Sequence, residues 1–74
     1  MELVYMVSEK DQYKNMTIEY FGDRREDALK YFKTKYAILS KELKDWELET
    51  GVYLYIWRKG EEYRELKFET KEVT

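Results

Sequence analysis

Residues 46–68 read WELETGVYLYIWRKGEEYRELKF, and the way this stretch pairs with itself decides the fold. Strand-forming residues alternate through it, with Gly51 and Gly60 as punctuation, so it reads as two successive β-hairpins. A two-residue loop at 59–60 would set Leu54 opposite Glu65 and Val52 opposite Lys67, mixing apolar and charged neighbours. A three-residue loop, Arg58–Lys59–Gly60, pairs Val52 with Leu66 and Leu54 with Arg64 instead. The loop Glu49–Thr50–Gly51 likewise pairs Leu48 with Val52 and Trp46 with Leu54. Glycine then falls third in both loops, where a three-residue hairpin needs a left-handed residue.

This register sorts the side chains into two faces. Trp46, Leu48, Val52, Leu54, Ile56, Leu66 and Phe68 form a core face, with Arg64 snorkelling to its edge. The opposite face carries Glu47, Tyr53, Tyr55, Trp57, Tyr63, Glu65 and Lys67. A strand that is apolar on both faces needs two covers. One is the core; the other is a partner, a ligand or a second copy of the chain.

The segment upstream supplies a cover for the core face. Leu29, Phe32, Tyr36, Leu39 and Leu43 recur at spacings of three and four, which makes one stripe of an α-helix, and Ala28 widens it. Asp23 is a good N-cap, and Glu26 completes a pair resembling a capping box. The stripe carries the helix to about Lys44, roughly 30 Å at 1.5 Å per residue; an end near Tyr36 is the alternative. Earlier still, Glu2–Val7 and Met16–Phe21 read as a hairpin with Leu3 opposite Tyr20, Tyr5 opposite Ile18 and Val7 opposite Met16. All six would share one apolar face. The polar tail after Glu69 reads as frayed. The expectation is a single small α+β domain over 1–74, ordered β-β-α-β-β-β: an N-terminal hairpin and a C-terminal three-stranded meander form an antiparallel sheet, with one helix on one face.

Composition narrows the chemistry. The 74 residues include no Cys and no His, so disulfides, thiol catalysis and His-assisted nucleophiles are excluded and the usual zinc ligands are missing. Of the usual staples for so small a domain, oligomerisation remains, which points to a homodimer. Ser8 and Ser40 lie in no nucleophile-elbow setting. Paired glutamates such as Glu61–Glu62 and Glu47/Glu49 lack the enclosure that would split their pKa values. Glu9, Asp11 and Asn15 share a loop without a calcium-binding spacing. The chain therefore reads as non-enzymatic, with no metal and no cofactor.

No run of apolar residues is long enough for a membrane span and no basic-then-apolar leader opens the chain, so a cytoplasmic protein is expected. Abundant charge, with Gln12 and Asn15 the only side-chain amides, leans toward a thermophilic source; the absence of Pro leans the other way. Net charge is −2, but residues 23–44 hold seven Lys/Arg against four Asp/Glu, and the remainder seven against twelve. A basic helix on an acidic sheet follows. The leading functional reading is protein–protein interaction through Tyr53, Tyr55, Trp57 and Tyr63, either as a homodimer seam or as a site for another protein, with inhibition as one use. The composition also fits a small accessory protein of a virus or mobile element. The alternative is single-stranded nucleic-acid binding by stacking on the same rings, against which the neighbouring glutamates count.

Overall fold

Among the described residues Arg25–Glu42 forms the one helix, α1, and it separates a hairpin, β1 (Glu2–Asp11) and β2 (Met16–Gly22), from a meander, β3 (Glu47–Gly51), β4 (Leu54–Lys59) and β5 (Glu62–Val73). This is the α+β order expected from the sequence, and the computed structural model describes residues 2–73 of it. All five strands join one sheet in the order β2-β1-β5-β4-β3, every pair antiparallel. The longest strand, β5, is central. Its C-terminal half, expected to fray, pairs with β1 as far as Glu2 opposite Val73.

The helix runs 18 residues with Leu43 as C-cap, close to the longer of the two lengths expected. Its stripe is as expected: Ala28, Phe32, Leu39 and Leu43 are buried, with Leu29 and Tyr36 packed alongside. Its start differs. Arg24, not Asp23, is the N-cap, and no side chain caps the first turn. The Tyr20 hydroxyl donates to the Arg24 carbonyl at 3.3 Å, so the chain is pinned one residue later than the Asp23 reading requires.

Both registers of the meander differ from the parity argument. The loops are two residues long, Val52–Tyr53 and Gly60–Glu61, so Leu48 lies opposite Trp57, Tyr55 opposite Leu66 and Trp57 opposite Arg64. On β4 the core face is thus the one expected to await a partner, whereas Leu66 and Phe68 of β5 are in the core as expected. Tyr55 and Trp57 turn toward the helix, where the Tyr36 ring lies 4.1 Å from Tyr55 and 6.0 Å from Trp57, centroid to centroid. Phe32 stacks on Tyr55 at 5.5 Å and meets Phe68 at 5.9 Å. Aromatic pairs at these separations contribute about 0.5–1.5 kcal/mol beyond their buried area. Leu54 and Ile56, assigned to the core, point away from the helix, and Val52 sits on an exposed turn.

The N-terminal hairpin is also re-registered. Val7 pairs with Tyr20 and Ser8 with Ile18, which leaves Glu19 as the extra residue of a β-bulge. Up to the bulge the expected face holds, with Tyr5, Val7 and Tyr20 on the helix side. Met16 and Ile18, expected beside them, project to the other side with Phe21.

Candidate interaction surface

The four aromatic residues singled out from the sequence do not share an exposed face. Trp57 is 1% exposed and belongs to the core; Tyr55 is half-buried beneath Phe32 and Tyr36. Tyr53 occupies the β3–β4 turn at φ +54°, its ring 5.0 Å from Phe68 and its hydroxyl accepting from Arg25 Nη2 at 2.8 Å. Tyr63 alone lies on the far side of the sheet. Its hydroxyl donates to Glu65 at 2.9 Å and the Arg58 guanidinium covers its ring at 5.5 Å. Burial and the Glu65 carboxylate push the Tyr63 phenol above its ordinary pKa. The surface expected of these four residues is therefore corrected. Their rings are divided between the core, one turn and the opposite face, because the two-residue loops invert the faces of β4.

The sheet face away from the helix has three zones. Down its middle runs β5, whose outward residues alternate in charge. Lys67 Nζ lies 2.9 Å from Glu69, and Lys71 Nζ 3.9 Å from the same carboxylate. The hydrogen bond and charge of Glu69 raise the Lys67 pKa. Such a ladder suits water: each exposed pair contributes only about 0.2–1 kcal/mol, and it interrupts any apolar patch. On one flank, β4 offers half-buried Leu54 and Ile56. On the other flank, Met16, Ile18 and Phe21 of β2 stand 53%, 52% and 61% exposed, beside half-buried Val4.

The two free edges contrast in their chemistry. β3 is five residues long and carries Glu47 and Glu49, the latter 3.2 Å from Arg58. Short length and outward charge are the ordinary means of protecting a sheet edge. β2, with the sequence MTIEYFG, is seven residues long and has neither Lys nor Pro. Its one charge, Glu19, faces the helix side, where Lys35 Nζ lies 3.7 Å away. The same lysine is 3.5 Å from Glu9, which also binds Arg64 at 2.8 Å. The acidic groups of this end are thus neutralised within the fold. Tyr31, 53% exposed, leans on Tyr20 at 5.4 Å and flanks β2 on the helix side. Apolar groups lie on both sides of one edge strand whose outer edge is free.

Of the carboxylates weighed for chemistry, Asp11 is occupied with structure. Asp11 accepts from the backbone N–H of Tyr13 at 2.9 Å and of Asn15 at 3.0 Å, with the Asn15 side chain at 3.3 Å. Desolvation pushes the Asp11 carboxyl up, but these donors and Arg64 outweigh it and hold its pKa below the ordinary value. This is an Asx turn, with Lys14 at φ +64°. No group of three or more acidic residues among the described residues is arranged to hold a metal ion. No helix among them is long and apolar enough to cross a membrane.

Met16, Ile18 and Phe21 were assigned by sequence reasoning to a covered face or given no role. One signal was available: Met16, Ile18 and Phe21 are spaced by two and then by three, the offset that one extra residue in a strand produces. Comparison with known proteins returns no matching family, no similar curated protein and no similar solved structure.

Proposed function

We propose that this chain is a non-enzymatic protein–protein interaction module of the cytoplasm, docking through the outer side of β2. One observation carries the reading: three large apolar side chains, Met16, Ile18 and Phe21, stand more than half exposed in a row on an edge strand with one free edge. An edge offers a partner main-chain hydrogen bonds, and a row of apolar side chains offers it buried area. Stacking of single-stranded nucleic acid has less support. Trp57 and Tyr55 lie under the helix, and the exposed sheet face carries Glu47, Glu49, Glu65 and Glu69 among its lysines, which works against phosphate binding.

The test uses immobilised protein as bait in a lysate of the source cells, with Ile18→Lys and Phe21→Lys alongside. The expected outcome is a protein retained by the native chain and released by both variants. Equal capture by all three overturns the reading. Fluorescence titration with oligonucleotides at low salt is expected to be flat; quenching that weakens as salt rises would favour nucleic acid instead.

A further inference from the structure

We infer that β2 pairs antiparallel with β2 of a second copy across a two-fold axis, joining two five-stranded sheets into one of ten strands. This rests on the reading of β2 as the docking strand and names its occupant. The axis lies perpendicular to the sheet, so both helices stay on one side and both apolar rows on the other. Met16, Ile18 and Phe21 of each copy then cover those of its partner, while Tyr31, leaning on Tyr20, approaches its counterpart on the helix side.

Charge selects a second copy as the occupant. Self-pairing sets a strand against its own sequence, so any unneutralised charge meets its like. At β3 that would bring Glu47, which has no ion-pair partner among the described residues, toward its counterpart in the partner, with only Glu49 held by Arg58. At β2 the one charge is Glu19, held by Lys35 on the helix side, and the facing residues are apolar or hydroxylic. The MTIEYFG strand is therefore chemically complementary to itself, and β3 is not. The bulge at Glu19 limits the length of pairing, so the interface is smaller than the roughly 1,600 Å² of a standard complex and the dimer dissociates on dilution.

Sedimentation equilibrium across a concentration series tests this, with distances between spin labels as a second readout. The chain has no cysteine, so one introduced at Thr17 or at Glu49 is the only label site. The native chain is expected to approach twice its monomer mass at high concentration. Ile18→Lys and Phe21→Lys, at exposed positions, are expected to remain monomeric with unchanged circular dichroism. Labels at position 17 are expected within about 20 Å of each other. Labels at 49 are expected near 40 Å, since nine strand spacings of about 4.8 Å separate the outer edges. A native chain that stays monomeric, a dimer that survives both lysine substitutions, or a shorter distance at 49 than at 17 overturns the inference. A monomer whose capture of another protein still requires Ile18 and Phe21 overturns this inference alone. A dimer formed elsewhere, with capture indifferent to those residues, overturns the docking reading as well.

Discussion

At position 53 the backbone φ of +54° is one that a tyrosine adopts at a cost of about 1–3 kcal/mol. Two interactions oppose that cost, the ring against Phe68 and the hydroxyl against Arg25. Removing the ring while keeping a Cβ leaves the strain without the contact. Urea unfolding of Tyr53→Ala and Tyr53→Gly is therefore expected to rank glycine above alanine by about 1 kcal/mol, the reverse of the usual order within strands; alanine ranking higher would mean that the turn relaxes. Asp11 makes a pH-dependent contribution. Its folded pKa lies below the unfolded value, so the stability it adds is fully present above about pH 4 and is lost as pH falls through the lowered folded value. Measured from pH 7 down to pH 2, the stability difference between the native chain and Asp11→Ala is expected to shrink on acidification. A difference that stays constant would show that the charge of the carboxylate does not support the turn.

Among the elements, the helix was legible because one stripe served one purpose. Phe32, Tyr36 and Leu39 had a single face to bury, and a period of 3.6 shows it directly. The hairpins were legible in number and order but not in register. VYLYIW in β4 and its turn is apolar at every position, so shifting the pairing by one residue exchanges two apolar faces, and parity alone does not choose between them. The choice is tertiary: Phe32 and Tyr36 meet Tyr55 and Trp57 as rings, whereas Leu54 and Ile56 would meet them as branched chains. The exposed apolar row of β2 was hidden for a similar reason, because the bulge at Glu19 reverses Met16 and Ile18 relative to Tyr20. The helix N-terminus offers a test at this scale. Arg24 has the extended backbone of an N-cap and no capping side chain, so Arg24→Ser or Arg24→Asp supplies a missing acceptor. Either is expected to raise stability by about 0.5–2 kcal/mol, read as a higher thermal midpoint. No change would show that water already satisfies the first-turn N–H groups.

For the molecule as a whole, the helix closes one face of the sheet and the β5 charge ladder hydrates the middle of the other, which leaves β2 as the exposed apolar margin. The strand order β2-β1-β5-β4-β3 has a consequence for synthesis and folding. Glu2 lies opposite Val73, so the central strand β5 and its neighbour β1 are the strands most distant in sequence, and during translation β1 waits for β5 until β2, α1, β3 and β4 have been made. Cut within 43–46 and joined from Thr74 to Met1, the same residues would run β3-β4-β5-β1-β2-α1: five strands in spatial order, each paired with the next. Such a circular permutant keeps its contacts while shortening the loop closed by the central pairing. It is expected to fold faster in stopped-flow refolding, with equilibrium stability changed by about 1 kcal/mol or less. Equal folding rates would show that the β1–β5 pairing forms after the rate-limiting barrier.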